Sequence, residues 1–247
     1  ARVMVAEGAL DGVDECYGLH NWPGYPMGQI RVQPGPMMAQ VHNFKLTLTG
    51  IGGHASQPHL CRDPVVAGAH LVTGLQTAVS RGLGADGGAV LSVSCFHAGD
   101  ASNIIPEKAH LSGTIRSYFP SATERVLARF HDIIRGTATA HGVKIDLELE
   151  TGYPVVLNDP NCAETVARVA RNLVGPEQVS RDNLPMAGGE DFAYFAQQVP
   201  SAYFFIGAQK PGEDTPVCHH PDFDFDDELI PLGVSMFAGI LRDRLQA

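Results

Sequence analysis

The sequence predicts an α/β fold in which a ferredoxin-like α+β unit is inserted into a second, discontinuous domain. Between residues 43 and 150 the patterns follow the order strand, helix, strand, strand, helix, strand. This order is typical of a ferredoxin-like sandwich with a four-stranded antiparallel sheet. The flanking segments contain apolar runs and amphipathic helices that suit pieces of one α/β domain. We therefore predict one domain from residues 1–40 and 152–247, and an inserted domain at residues 41–151.

Alternation and capping signals predict the elements of the inserted domain. NFKLTLTG at 43–50 alternates apolar and polar residues, which predicts a strand with one buried face. Asp63, followed by proline, predicts the start of a helix that ends near Gly82. Ser121 is predicted to cap a second helix, which ends at Gly142. The remaining strands are predicted at 89–97, 108–118 and 143–150.

The flanking segments supply the other strands and helices. After a short first helix, residues 13–19 predict a strand that leads to His20. Residues 159–174 predict a capped amphipathic helix, and the Gly-Gly turn before Glu190 predicts the start of another. The apolar run at 201–207 predicts a buried strand, and a last helix closes the chain.

Composition and charge exclude several classes of partner. Lys+Arg 17 against Asp+Glu 27 gives a net charge of −10, so no basic stripe is expected that would neutralise the phosphates of a nucleic acid. No apolar run reaches the roughly 18 residues of a membrane span, and the first residues lack a signal-peptide pattern. Five cysteines without a CxxC motif are typical of a reduced, cytoplasmic protein with free thiols.

Two histidine segments about 200 residues apart are candidates for metal binding. They contain His20 in YGLHNWPG and His219 in CHHPDFDFDDE. A neutral imidazole in such a loop or strand end can bind zinc, manganese or nickel. The alternative is a structural histidine beside Trp22. The acidic residues after His219 either orient a ligand histidine or form a solvated charged run.

Five further residues have a chemical and a structural interpretation. Glu190 and Asp191 either complement the dipole of a helix start or face a metal. His54 lies on the glycine-rich loop GGHASQP, where it either approaches a ligand or is inert. Arg116, within a strand, suits bidentate binding of a carboxylate together with Asn103. The alternative for Arg116 is an edge-strand side chain in water.

The ordered set of motifs identifies a family. The set is GLHNWP, PGPMMA, GGHASQPH, DPV, LQTAVSR, NIIPEKAHLSGTIR, GGEDFAYF and HHPDFDFDDE. Together these motifs resemble the metal-dependent aminoacylase/carboxypeptidase family, in its hippurate hydrolase and N-acyl-amino-acid amidohydrolase branch. The resemblance spans essentially the whole chain. It implies that the flanking segments form part of a zinc-peptidase-like α/β catalytic domain and that the inserted unit is a lid and dimerisation domain.

The resemblance also implies a metal site. His20 and His219 match metal ligands of the family, and Gly189 falls in a segment that lines the substrate site. In the family, two divalent ions such as Zn, Mn or Ni lower the pKa of a bridging water. A glutamate takes its proton, and the water attacks the amide bond of an N-acyl amino acid.

The remaining site residues lie in the inserted unit. His54 matches a lid histidine that, in related dimers, reaches the active site of the partner subunit and polarises the scissile carbonyl. Asn103 and Arg116 match lid residues that hold the substrate's carboxylate and the tetrahedral intermediate. The resemblance thus implies a small-molecule substrate and a homodimer formed through the lid domain.

One departure from the family pattern bears on activity. The family carries a Cys-x-His ligand pair and a Glu-Glu pair shortly before the position that matches Ala1, and the sequence has no counterpart of either family pair. The resemblance therefore implies a truncated chain that is inactive alone and binds no metal by itself. The alternative is a non-catalytic, dimerising fragment that binds carboxylates. A further interpretation is that the flanking domain exposes an apolar patch, which favours aggregation or a different dimer.

Overall fold

The computed structural model describes residues 1–84, 87–213 and 215–246. The chain divides into two compact units. One unit, called the discontinuous unit, consists of residues 1–39 and 153–247, and the other, called the inserted unit, consists of residues 40–152. Both units contain sheets and helices, which confirms the predicted α/β class.

The helices and strands of the described residues follow in chain order. The helices are α1 (Arg2–Ala6), α2 (Pro64–Ser80), α3 (Pro120–His141), α4 (Pro160–Val174), α5 (Ala193–Ala196) and α6 (Leu229–Leu245). The strands are β1 (Cys16–Pro26), β2 (Ile30–Arg31), β3 (Gly35–Met38), β4 (Gln40–Thr49), β5 (Gly53–His54), β6 (Ala89–Ala98), β7 (Ile104–Ile105), β8 (Lys108–Ser117), β9 (Lys144–Thr151), β10 (Val156–Asn158), β11 (Val179–Ser180) and β12 (Ser201–Gln209). None of these helices has the length and apolar character that crossing a bilayer requires.

The inserted unit is built on one antiparallel sheet of strand order β6-β8-β4-β9. This order, with α2 and α3 as the two helices of the unit, is that of a ferredoxin-like sandwich. Alternation along β4 directs Phe44, Leu46 and Leu48 into a core shared with both helices. The rings of Phe44 and Phe130, which belongs to α3, pack with their centroids 5.0 Å apart.

Local signals determine where the helices of this unit begin and end. The Asp63 carboxylate accepts hydrogen bonds from the backbone N–H of Val65 at 2.8 Å and of Val66 at 3.3 Å, which confirms it as the N-cap of α2. Gly142 ends α3 with a φ of 63°, in the left-handed region that favours glycine.

The predicted cap at Ser121 is wrong. Helix α3 begins at Pro120, two residues earlier than a cap at Ser121 requires, and its N-cap is Phe119 in an extended conformation without a side-chain hydrogen bond. Proline fits the first helical position because its φ is already helical and its missing N–H would have no helical partner there. The proline therefore determines the start of the helix, and Ser121 lies within the first turn.

The discontinuous unit contains a mixed sheet of strand order β1-β12-β2-β11. Strand β1 runs parallel to β12, and β12 runs antiparallel to β2. Eight of the nine residues of β12 are buried, as the apolar run at 201–207 predicts. Helices α4 and α6 pack on this strand, and Phe204, Val166 and Met236 meet in the core.

Candidate functional site

His20 lies in the middle of β1, not at the end of a strand as the sequence suggests. Its partner across the parallel ladder is Phe205 of β12. The imidazole is half-buried among aromatic rings, with its centroid 5.8 Å from that of Trp22 and 6.2 Å from that of Phe205. These neighbours hold the ring in place, because packed aromatic rings restrict its rotation.

Hydrogen bonding assigns the proton of His20. Its Nδ1 atom contacts the backbone carbonyl of Asn21. A carbonyl can only accept, so Nδ1 carries the proton and Nε2 keeps its lone pair in the neutral ring. A histidine whose Nδ1–H is bound to a carbonyl is the usual form of a metal ligand through Nε2.

His219 lies in the exposed loop between β12 and α6, in an unusual backbone conformation. Its φ is 70°, in the left-handed region that few non-glycine residues adopt. Backbone strain of this kind is concentrated at functional sites. The neighbouring His220 is engaged differently, since its Nδ1 accepts the backbone N–H of Asp222 at 3.1 Å. The proton of a neutral His220 is therefore on Nε2, which leaves His219 as the better candidate ligand of the two.

These two histidines do not by themselves form a metal centre. A catalytic zinc site has three protein ligands and an open position. Within residues 1–84, 87–213 and 215–246, no group of three or more His, Cys, Asp or Glu side chains is arranged to hold a metal ion. The described residues alone therefore do not fit the two-metal centre that the family resemblance implies.

The structure brings His54 and Asn103 together in the inserted unit. Strands β5 and β7 form a short antiparallel ladder in which His54 pairs with Ile104. Directly beyond it, the backbone N–H of Ala55 donates to the carbonyl of Asn103 at 3.0 Å. Two candidate residues from distant parts of the sequence therefore lie on adjacent, exposed segments.

The neutral ring of His54 carries its proton on Nε2, whereas that of His20 carries it on Nδ1. The backbone N–H of Ser56 donates to Nδ1 of His54 at 3.1 Å, and the Ser56 hydroxyl lies 2.8 Å from the same atom. A backbone N–H can only donate, so Nδ1 holds the lone pair and Nε2 carries the proton in the neutral ring. The exposed Nε2–H is thus a hydrogen-bond donor, which is the group that stabilises a developing oxyanion. Ser56 is not among the residues predicted from the sequence, although its spacing of two residues from His54 suits such a contact.

Arg116 lies on β8, an inner strand of the sheet, so the edge-strand interpretation is wrong. Its neighbours across the ladders are Val41 and Val90. The adjacent Ile115 is fully buried in the core with the two helices, and alternation places half-buried Arg116 on the opposite face of the sheet. The backbone of an inner strand is held by hydrogen bonds on both sides, so the Arg116 side chain starts from a fixed position from which its guanidinium can bind a planar anion.

Gly189 and Glu190 lie in an irregular segment before α5, and the predicted helix start at Glu190 is wrong. Helix α5 is a single turn, Ala193–Ala196, with no acidic residue in its first turn. Glu190 instead accepts hydrogen bonds from the Tyr203 hydroxyl at 2.8 Å and from the Phe192 backbone N–H at 3.1 Å. Burial, and then the negative charge of Glu190, raise the pKa of Tyr203 far above its usual range. The contact with Tyr203 connects the segment that contains Gly189 and Glu190 to β12. No local pattern in the sequence points to Tyr203.

Comparison with known proteins identifies the family. The model of peptidase family M20/M25/M40 matches residues 1–243. The N-acetylcysteine deacetylase of Bacillus subtilis (strain 168) is 33% identical over 238 residues, which are 96% of this chain and 61% of that protein. The N-acetyldiaminopimelate deacetylase of Leuconostoc citreum (strain KM20) is 34% identical over 235 residues, which are 94% of this chain and 59% of that protein.

A solved structure agrees with these relatives. The YXEP protein of Bacillus subtilis, described as a dinuclear metal binding peptidase of the M20 family, matches with a TM-score of 0.78 and 28% identity. The match covers 97% of this chain and 59% of that one. The chain thus spans about three fifths of the length of the proteins that it matches. It belongs to the peptidase family M20/M25/M40.

Proposed function

We propose that this chain takes part in metal-dependent hydrolysis of the amide bond of N-acyl amino acids, including hippurate-type substrates. The family match over residues 1–243 supports amide hydrolysis as the reaction. Two relatives are named as deacetylases of N-acetylcysteine and of N-acetyldiaminopimelate. Both of these substrates carry an acyl group on the nitrogen of an amino acid, so we extend that substrate class to this chain.

The main observation behind this proposal is that the neutral His54 ring carries its proton on the exposed Nε2 atom. Its Nε2–H points away from the Nδ1 contact with Ser56 and is exposed. Hydrolysis of an amide passes through a tetrahedral intermediate with a negative oxygen, which such a donor stabilises. We propose that His54 polarises the scissile carbonyl and that Asn103 beside it holds the same intermediate. In a homodimer, His54 would act in the site of the partner subunit.

Arg116 accounts for the amino-acid part of the substrate. Its guanidinium can form two parallel hydrogen bonds with a carboxylate, which fixes both the position and the orientation of the bound molecule. We propose that Arg116 binds the free α-carboxylate and that Gly189, next to Glu190, lines the substrate site. A requirement for that carboxylate would favour N-acyl amino acids over longer peptides.

We propose His20 and His219 as ligands of a divalent ion. The lone pair on Nε2 of His20 suits zinc, manganese or nickel. When bound, such an ion supplies a water of lowered pKa for attack on the amide. The described residues hold no group of three ligands. The Cys-x-His and Glu-Glu pairs that the family carries before the position matching Ala1 have no counterpart in the sequence. We therefore expect the 247-residue chain to be inactive alone.

A hybrid enzyme tests this function. The chain is joined to the part of the Bacillus subtilis N-acetylcysteine deacetylase that it does not match, and is assayed with N-acetyl- and N-benzoyl-amino acids in the presence of Mn²⁺ or Zn²⁺. We expect turnover by the hybrid and none by the chain alone. His54→Ala should lower kcat of the hybrid by about 10²–10³, the usual effect of removing one oxyanion donor. His59→Ala, a change at another exposed histidine of the same loop, should not.

Two results would contradict this proposal. Turnover by the isolated chain would overturn its inactivity. A folded hybrid that binds metal but hydrolyses no N-acyl amino acid would overturn the reaction itself.

The second candidate function is a non-catalytic, carboxylate-binding module. It is favoured by the absence of a three-ligand group among the described residues. Calorimetry of the isolated chain with N-acetylglycine, without metal, tests it. If the chain is a binding module, binding should disappear in Arg116→Ala. It should persist in Arg135→Ala, a change at an exposed arginine of α3. These two results support the module only if the hybrid enzyme is inactive.

We also propose that the chain forms a homodimer through the inserted unit. Strand β6 ends the sheet of this unit, so one of its edges has no strand partner among the described residues. Exposed Val90 on this strand adds apolar surface.

The free state of all five cysteines supports a reducing, cytoplasmic location.

A further inference from the structure

Two histidines of the inserted unit meet where its two helices pack together. His70 lies in the first half of α2, and His141 is the last residue of α3. Nδ1 of His70 lies 3.0 Å from Nε2 of His141, and the ring centroids are 4.8 Å apart with an angle of 80° between the ring planes. His70 is exposed and His141 is half-buried. We call these residues the His70–His141 pair.

The core of the inserted unit holds the backbone on both sides of the pair. Leu71, which follows His70 in the sequence, and Ile134 of α3 are buried in the same apolar cluster. Gly142 ends α3 directly after His141, so the imidazole projects from the last turn of that helix. Because the backbone is fixed at both positions, the geometry of the pair changes only through rotation of the two side chains.

The contact between the rings leaves both of them available to a ligand. One of the two facing nitrogens donates a proton and the other accepts it. In the described part of the chain, neither imidazole has a further hydrogen bond or ion pair that would fix its tautomer. When the donating ring carries its proton on its other nitrogen, both facing nitrogens present lone pairs to the same point. Two neutral imidazoles in that arrangement are ligands for one metal ion.

The separation of the facing nitrogens favours particular metals. Imidazole nitrogens bind divalent zinc at about 2.0–2.1 Å. With bonds of that length, nitrogens 3.0 Å apart make an angle of about 95° at the ion. This angle suits neighbouring positions of a square-planar or tetragonal ion, the geometry that Cu²⁺ and Ni²⁺ adopt. A tetrahedral zinc ion would require the nitrogens to be about 3.4 Å apart.

We propose that the His70–His141 pair is a surface site for a divalent copper or nickel ion. Nδ1 of His70 and Nε2 of His141 supply two neighbouring ligands, and the ion joins α2 to α3. Among the described residues no third His, Cys, Asp or Glu side chain completes the group, so water molecules occupy the remaining positions. The site does not involve His20 or His219, which belong to the discontinuous unit.

Metal titration of the intact 247-residue chain tests the proposal. Calorimetry at pH 7.5 measures the affinity for Cu²⁺ and for Ni²⁺, and electron paramagnetic resonance of the copper complex reports bound imidazole nitrogens. His70→Ala and His141→Ala should each weaken binding at this site at least 10-fold, because one imidazole remains. The double variant should bind no more weakly than either single variant, since the two ligands act as a unit. Ni²⁺ should also raise the Tm of the original chain but not that of the variants, because an ion bound only to the folded chain stabilises it.

Two controls separate this site from other histidines. His131 is exposed on α3, and His131→Ala should keep the copper and nickel affinity within twofold of the original chain. His219→Ala should also keep this site, so the proposal is tested whether or not His219 binds a metal. His70 is an exposed helix residue and alanine favours helices, so His70→Ala should fold like the original chain.

Three results would overturn the proposal. The first is a copper and nickel affinity that both pair variants share with the original chain. The second is an equal loss in His131→Ala, which would mean that the ions bind surface histidines without selection. The third is a lower Tm of His70→Ala without metal while the metal titration is unchanged, which would assign the pair a hydrogen bond between the helices and nothing more.

Discussion

Individual histidines of this chain are distinguished by their backbone neighbours. The carbonyl of Asn21 places a proton on Nδ1 of His20, whereas the N–H of Ser56 places it on Nε2 of His54. The motifs pointed to both histidines, but spacing along the sequence does not determine which nitrogen holds the lone pair. That property depends on the local course of the backbone, which only the folded chain shows.

His42 illustrates a residue whose environment the sequence does not reveal. It lies on β4 two residues before Phe44 and is only 4% exposed. Both ring nitrogens are buried without a hydrogen-bond partner in the described part of the chain. Burial lowers the pKa of His42, because the charged imidazolium would lose its hydration.

The lowered pKa of His42 predicts a loss of stability in acid. In the unfolded chain the pKa of His42 is near its ordinary value of 6.5, so the unfolded chain binds the proton more readily than the folded chain does. Stability is therefore unaffected above this pH and falls below it, by at most about 1.4 kcal/mol per pH unit, until the folded form also takes up the proton. His42→Leu should remove this part of the pH dependence and stabilise the chain by about 1–3 kcal/mol at pH 5.

Urea unfolding at pH 5 and pH 7.5 measures this effect. His59→Leu, a change at an exposed histidine, is the control and should keep the original pH dependence. If His42→Leu loses stability between pH 7.5 and pH 5 as steeply as the original chain does, the acid sensitivity arises elsewhere.

At the scale of elements, the sequence predicted those that have a strong local signal. The alternation along β4, the cap at Asp63 and the glycine at position 142 were all confirmed. The errors at Ser121 and Glu190 are alike. In both cases a residue that suits a helix start was present, but α3 begins at Pro120 and α5 begins at Ala193, and the Glu190 carboxylate accepts a hydrogen bond from the Tyr203 hydroxyl. Contacts between distant residues such as Glu190 and Tyr203 are not visible in a local pattern.

The cap of α4 gives a testable prediction for an element. The carboxylate of Asp159 accepts the backbone N–H of Asn161 at 2.8 Å and of Cys162 at 3.0 Å. Asp159→Ala should lower the free energy of unfolding by about 0.5–2 kcal/mol, because two N–H groups at the helix start lose their partner. Asp159→Asn keeps an acceptor oxygen and should retain most of the stability. Thermal unfolding of both variants measures the difference, and an equal loss in the two would rule out capping as the cause.

At the scale of the whole molecule, each unit has its own apolar core. One core surrounds Phe204 and Met236 of the discontinuous unit, and the other surrounds Phe44 and Phe130 of the inserted unit. The order of elements in the sequence was sufficient to predict a ferredoxin-like sheet. The sequence raised the possibility of an exposed apolar patch in the discontinuous unit. It did not show that Val234 and Leu241 of α6 are exposed, because an apolar helix residue has the same sequence pattern whether or not another element covers it.

The free edge of β6 predicts the assembly of the whole chain. Two copies can join their β6 edges about a twofold axis and thereby continue the sheet from one inserted unit to the other. We expect the chain to sediment as a dimer. Val90→Lys should weaken that dimer at least 10-fold, because lysine on an edge strand opposes pairing with another strand.

Leu157→Lys on β10 is the matched control, since Leu157 is 41% exposed and Val90 is 45% exposed. Sedimentation velocity over a range of concentrations measures both variants. A chain that remains monomeric throughout would contradict the prediction, and so would a dimer that tolerates Val90→Lys.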